Sequence, residues 1–167
     1  SQRRLVKTAA ASGESLMNIL NEVLDLSKIE AGKLVINAAP MSLHSLAASV
    51  AALFRVNAEN KGLALLFEIE QDVANWVIGD AQRLKQVLLN LVKNAIEAMT
   101  NVPLERRQLT LQATVVDDRM LEVTVADQGH GLSEEDIEKI FAPFYTTEPE
   151  GMGIGLAMCR SILVFHQ

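Results

Sequence analysis

The chain has 167 residues, 49% of them hydrophobic and 22% charged, which is enough for one globular unit with a sizeable core. The formal charge is -6 and no basic cluster exceeds the "ERR" at 105–107, which argues against nucleic acid as a partner, because that needs concentrated positive charge. No run reaches the roughly 18–20 apolar residues of a membrane-spanning helix, and no cleavage pattern follows the start "SQRRLVKTAA", so a signal peptide is rejected. The single cysteine, Cys159, excludes an internal disulfide and a cysteine-based zinc site, and it fits a reducing compartment.

Residues 2–31 read as one long helix. Leu5, Ala9, Ser12, Leu16, Ile19, Val23 and Leu26 step by three and four in a heptad-like seam, and Gly32 supplies the stop. A seam this apolar packs on another helix. Self-association with a second copy is the favoured reading, and a core stripe within the chain is the alternative. After "PMSL", a second helix is predicted near 43–60, ending at "ENKG", followed by a strand "LALLFEIE" over 63–70. Asp80 can then cap a helix over 81–99, with Leu84, Leu88, Leu91, Ala95 and Met99 as its apolar stripe.

Two strands with clear alternation come next. Leu109, Leu111, Ala113 and Val115 share one face of "QLTLQATV", and Leu121, Val123 and Val125 share one face of "LEVTVAD". The "VDDR" between them suits a hairpin turn. A short helix from about 133, a loop through Gly155 and a final helix complete the chain. This mixture predicts an α+β class, a two-layer α/β sandwich with helices on one face of a mixed sheet, preceded by the long N-terminal helix.

Three stretches carry candidate chemistry. Arg83, Gln86, Asn90, Asn94 and Glu97 form a polar strip along the helix 81–99. It is either a solvated edge or a ligand-facing one. Two mid-helix asparagines cost a few tenths of a kcal/mol each relative to Lys or Glu. Their neutral carbonyl oxygens suit Mg²⁺, which takes oxygen donors and keeps several waters. Asp127 shares the parity of Leu121, Val123 and Val125, which aims its carboxylate at the core-facing side, a costly place unless it is paired. It reads either as a strand-ending Asp in a turn or as the acceptor for an amino group of a planar ligand, with Gly129 and Gly131 in "DQGHG" letting the backbone turn closely. Gly151, Gly153 and Gly155 alternate just before an apolar helix, where exposed amides and the helix end make an anion site. There is no Walker A pattern. Upstream, "FAPFYTT" offers Phe141, Pro143, Phe144 and Tyr145 as the anchor of a mobile lid, and core or hinge packing explains those aromatics equally well.

In this order the pieces resemble the Bergerat ATP-binding fold of gyrase, the ninety-kilodalton heat-shock chaperone, the MutL repair ATPases and the sensor histidine kinases. The histidine kinases are most similar: "DAQRLKQVLLNLVKNAIEAM" resembles their N box, "DQGHG" their G1 box, "FAPFYTT" their F box and "GMGIGLAMCRSI" their G2 box. "LDLSKIEAGKL" resembles the second dimerisation helix and linker of hybrid sensor kinases.

The resemblance implies roles at matching positions. Asn94 would ligate Mg²⁺, with Asn90 supporting the metal or phosphates and Lys93 a phosphate contact or simply a solvated lysine. Asp127 would accept the adenine amino group, and Gly129 and Gly131 would shape the adenine wall. Phe144, Thr146 and Thr147 of the F box, Gly151, Gly153 and Gly155 of the lid, and Leu156 complete the implied ATP set. Hydrolytic relatives carry a glutamate one turn before the metal-binding Asn, as general base; Asn90 stands there and cannot take a proton. That implies phosphoryl transfer rather than hydrolysis.

His44, His130 and His166 lack the phosphoacceptor context of the family, so the acceptor is expected on another dimerisation helix and no catalytic residue is assigned in this chain. The implied division is 1–36 for the second dimerisation helix and linker and 37–167 for the ATP-binding domain, lacking its last strands. The implied partners are ATP, a histidine-bearing dimerisation helix, a response-regulator receiver domain and a second copy of the chain, in a cytoplasmic setting. Glu148 departs from the basic residue common after the "TT" of similar kinases. The alternatives are a non-catalytic nucleotide-binding or dimerisation module, and a Bergerat ATPase.

Overall fold

The structure, a computed structural model, describes residues 2–117, 120–147 and 151–166. The order is α1 (Gln2–Glu30), β1 (Ala39–Ser42), α2 (Leu43–Asn60), β2 (Ala64–Ile69), β3 (Trp76–Gly79), α3 (Ala81–Ala98), a 3-10 turn (Leu104–Arg106), β4 (Gln108–Asp117), β5 (Met120–Asp127), α4 (Glu134–Lys139) and α5 (Gly155–Phe165). Every predicted helix is present within a residue or two at each end. The "VDDR" turn and Glu148 lie, in part or whole, outside the described residues.

The main sheet has the order β2-β4-β5, with β2 parallel to β4 and β5 antiparallel to it, so it is mixed as predicted. Its register sets Leu65 beside Leu109, Phe67 beside Leu111 and Ile69 beside Ala113, and these side chains point to one face. There Leu109, Leu111 and Ala113 are buried beneath α2 and α3, with Val50, Val92, Ala95, Ile96 and Met99 supplied by the helices. Each fully buried Leu or Ile contributes about 1.5–3 kcal/mol to the layer. β1 and β3 form a separate antiparallel pair that the sequence reading did not contain. Each has four residues, and β3 exposes Trp76 and Ile78 while half-burying Val77, so hydrophobicity alone gives no inward face.

α3 is buried on two sides rather than along one stripe. Val92, Ala95, Ile96 and Met99 face the sheet side, while Val87 and Leu91 meet Met158, Cys159 and Ile162 of α5. Its start is fixed as predicted. Asp80 accepts hydrogen bonds from the backbone N–H groups of Gln82 at 3.1 Å and Arg83 at 3.0 Å, and its second oxygen accepts from Asn37 N–H at 2.9 Å. Burial pushes the Asp80 carboxyl up, but these three bonds and the Arg83 charge outweigh it and hold the group below the usual carboxylate range. The far end of α5 returns to the same point: Asp80 N–H donates to His166 Nε2 at 3.1 Å, while His166 Nδ1 lies 2.9 Å from the Ile162 carbonyl. Arg107 ties the opposite end, donating to the carbonyls of Val102, Lys61 and Thr100.

α1 stops at Gly32, which adopts a φ of +64° that favours glycine. Its last third packs on the rest of the chain. Leu26 is buried, and Ile29 with Leu34 and Ile36 joins the α5 cluster. Farther up the seam, Leu16 is 65% exposed and Val23 44%. The Asp25 carboxylate accepts from Arg83 Nη1 at 2.7 Å and from Gln86 Nε2 at 3.1 Å, so two members of the polar strip on α3 hold α1 in place.

Candidate nucleotide-binding site

A cavity of about 670 Å³ opens between α3, the end of β5, the segment after α4 and the start of α5. One end is polar and lies along α3. Asn90, Lys93, Asn94 and Glu97 line it, facing Gly151, Gly153, Gly155 and Leu156 across the gap. The close approach of α5 is visible at Gly155, where an added Cβ would sit 3.6 Å from the Asn90 side chain. Asn94 is exposed to the cavity, and Asn90 is half-buried with its amide 3.8 Å from Cys159 Sγ. Arg83 and Gln86, the first two members of the strip, do not line it. Asn90, Asn94 and Glu97 are therefore the part of the strip that reaches the cavity, and the two asparagines are its neutral members.

Asp127 lines the same cavity from the end of β5, and Val125, Leu132 and Ile140 are among its apolar lining. Asp127 pairs across the sheet with the fully buried Leu109, so its parity is as predicted. Its carboxylate is nonetheless exposed, because the cavity opens where the core would otherwise continue. Gly129 N–H donates to Asp127 Oδ1 at 2.7 Å. A Cβ on Gly129 would fall 2.6 Å from that oxygen and 2.8 Å from Ala98 Cβ, so the turn needs glycine. One carboxylate oxygen is thereby fixed by the backbone, and the other can accept from a ligand.

The backbones at Phe144 and Gly153 are interlocked. Phe144 adopts a φ of +66°, uncommon for a non-glycine residue, and its N–H donates to the Gly153 carbonyl at 2.9 Å. Gly153 has a φ of +69°, and a Cβ there would lie 2.4 Å from the Tyr145 carbonyl oxygen. The Tyr145 hydroxyl donates to the Asp136 carboxylate, which Ser133 also holds, and these bonds keep Asp136 below the usual carboxylate range. Thr146 and Thr147 line the cavity, whereas Phe144, Gly129 and Gly131 do not; Phe144 instead bonds Gly153, and Gly129 supports Asp127.

Glu22, Arg160 and Cys159 also line the cavity and are not among the site residues expected from the sequence. Glu22 comes from α1, one turn before Asp25, and the spacing Glu22–Leu26–Ile29 on one helix face was the available signal. Arg160 stacks 5.9 Å from the Phe141 ring centroid, joining α5 to the segment after α4. Cys159 is buried, and burial pushes its thiol up to about 11 despite the Asn90 contact, so it is inert as a nucleophile.

Known proteins share the sequence family and the fold. The sequence profile of the family described as "Histidine kinase-, DNA gyrase B-, and HSP90-like ATPase" matches residues 79–167. The sensor histidine kinase GacS of Pseudomonas protegens is 35% identical over 162 residues, covering 93% of this chain and 18% of that protein, so the chain spans under a fifth of that relative's length. The crystallised catalytic domain of histidine kinase ThkA is 33% identical with a TM-score of 0.67, covering 78% of this chain and 82% of that one. ThkA has also been solved with the response regulator TrrA, at 28% identity and a TM-score of 0.63 over 87% of this chain and 41% of that one. Full-length ShkA in complex with AMPPNP is 28% identical with a TM-score of 0.83, covering 98% of this chain and 34% of that one. The chain belongs to the histidine kinase-, DNA gyrase B- and HSP90-like ATPase family, as the ATP-binding catalytic domain of a sensor histidine kinase.

Proposed function

We propose that this domain positions Mg-ATP for in-line transfer of its γ-phosphoryl group to a histidine carried on another helix. The observation that supports this most is the convergence of three distant segments on one cavity: Asp127 at the end of β5, the Asn90–Asn94 turn of α3, and the glycines leading into α5. Asp127 is the acceptor for the adenine amino group, since its outer oxygen remains available. Lys93, Thr146, Thr147, the amides around Gly151 and Gly153, and the start of α5 near Leu156 meet the phosphates. Neutral side-chain oxygens on a solvated edge suit a magnesium ion that keeps several waters, so Asn94 is the ligand and Asn90 its support. Bound magnesium would supply charge neutralisation between phosphate oxygens. The chain's own part is to hold the nucleotide in one orientation and cover it with the lid, which is where most of the rate enhancement of such transfers resides.

The partners follow from the same reading. Residues 1–36 form the second dimerisation helix and linker, and residues 37–167 form the catalytic domain. The exposed seam of α1, with Leu16, Ile19 and Val23, supports pairing with a histidine-bearing helix and with a second copy. The ThkA complex supports a response-regulator receiver domain as the downstream acceptor. A cytoplasmic setting follows from the supply of ATP.

Titration of the chain with a non-hydrolysable ATP analogue, with and without Mg²⁺, tests the site. Binding should depend on the metal, and Asn94→Ala should abolish that dependence; undiminished metal dependence in the variant would refute the assignment. Adding a separate histidine-bearing dimerisation domain with labelled ATP and Mg²⁺ tests transfer. Nucleotide binding without transfer would favour a non-catalytic module, and rapid phosphate release without an acceptor would favour an ATPase.

A further inference from the structure

The polar end of the cavity contains a carboxylate that belongs to α1, not to the catalytic layer. Glu22 lines the same wall as Lys93, close enough for the lysine's charge to act on it, and it is half-buried there. It is held in place by its neighbours. Asp25, one turn on, is clamped by Arg83 at 2.7 Å and Gln86 at 3.1 Å, and Leu26 and Ile29 bury the next turn. As long as that clamp is closed, Glu22 stays at the cavity.

Its charge opposes the expected ligand. Glu22, Glu97 and Asp127 stand against Lys93 and Arg160 among the charged residues of the wall, and Glu97 already lies 3.9 Å from Lys93. Asp127 faces the base end, so Glu22 and Glu97 are the anions at the end where phosphates go. We infer that Glu22 is an electrostatic gate: with α1 clamped, it competes with the nucleotide phosphates for Lys93, so α1 docking and triphosphate binding weaken each other. By linkage, the same coupling means that bound triphosphate loosens α1. This rests on the nucleotide reading of the cavity.

The test is calorimetric titration of the whole chain with a non-hydrolysable ATP analogue, ADP and AMP, each with Mg²⁺ and at two salt concentrations. Glu22→Gln removes one charge at a few ångströms to a Debye length from the phosphates, and a roughly three- to tenfold tightening for the triphosphate is expected at low salt. The gain should shrink from triphosphate to diphosphate to monophosphate and at high salt. Asp25→Ala, which opens the clamp at a distance, should give the same graded gain, and the double variant should add little to either single one. Equal gains for all three nucleotides would mean a packing effect and overturn the gate. Unchanged or weakened triphosphate binding in Glu22→Gln would also overturn it. If the unaltered chain bound none of the three, the nucleotide reading itself would fail, and this inference with it.

Discussion

Replacing Asp127 by asparagine keeps the shape of the side chain and removes its charge and half of its acceptor capacity. The backbone decides how the new amide sits. Gly129 N–H points at Oδ1 from 2.7 Å, and it will be met by the amide oxygen, because the alternative sets two donors against each other. The amide NH₂ then faces the cavity where a second carboxylate oxygen stood. An adenine amino group arriving there meets a donor instead of an acceptor. A hydrogen bond to a charged group is worth about 1.5–3 kcal/mol, so affinity for an ATP analogue should fall roughly 10- to 150-fold. The fold should survive, since the Gly129 bond is retained and Asp127 is exposed. The same geometry predicts a change of preference. An inosine nucleotide, which carries a carbonyl in place of the amino group, should gain on adenine in the variant. Calorimetry with both nucleotides reads this out. An unaltered adenine-to-inosine ratio, with adenine affinity intact, would refute the placement of the base against Asp127.

Substitutions at three other places test further links. Gly153→Ala places a methyl group 2.4 Å from the Tyr145 carbonyl in a left-handed conformation that costs a side-chain-bearing residue about 1–2 kcal/mol. The lid root should open and nucleotide affinity should drop by tenfold or more, with the melting temperature of the free domain little changed; wild-type affinity would show that the interlock is not needed. Asp80→Ala should cost about 2 kcal/mol in urea unfolding, from the lost cap and an unsatisfied Asn37 N–H. Because the native Asp80 carboxyl is held below its ordinary value, its stabilisation is present above about pH 4 and lost as pH falls through the lowered value. Asp80→Asn should therefore flatten the acid limb of the stability profile, and an unchanged limb would contradict the three-bond account. Leu16→Glu with Val23→Glu should abolish self-association measured by light scattering, because both side chains lie on the exposed seam; persistence of the same oligomer would remove the seam from the interface.

Elements whose evidence is local were readable from the residues alone. Asp80 ahead of an amphipathic run, Gly32 and Gly62 after helices, and strict alternation in β4 and β5 each predict a boundary that the structure reproduces. β1 and β3 were not readable, because four residues carry too little pattern and β3 turns its largest apolar side chains outward. The candidate site was legible as a set of motifs, and the cavity gathers most of them. What sequence spacing could not provide was the destination of a polar side chain. Arg83 and Gln86 share the helix face of Asn90 and Asn94, yet they are engaged by Asp25, 58 and 61 positions away. Glu22 reaches the cavity by the same docking, and its spacing from Leu26 and Ile29 marks a shared helix face without marking a ligand. The width of the α3 stripe was underestimated for a related reason, since α5 covers a second side that local periodicity does not reveal.

The ring of His166 has a further meaning in a protein of this family. Asp80 N–H can only donate, so Nε2 must be the acceptor, and Nδ1, 2.9 Å from the Ile162 carbonyl, must carry the proton. One tautomer of the neutral ring satisfies both contacts, and the lone pair that would attack phosphorus is committed to a backbone amide. A phosphoryl group on either nitrogen would break the join between the end of α5 and the start of α3. This histidine is thus a rivet in the catalytic domain, with both ring nitrogens engaged by the backbone, whereas the proposed reaction uses a histidine on another helix.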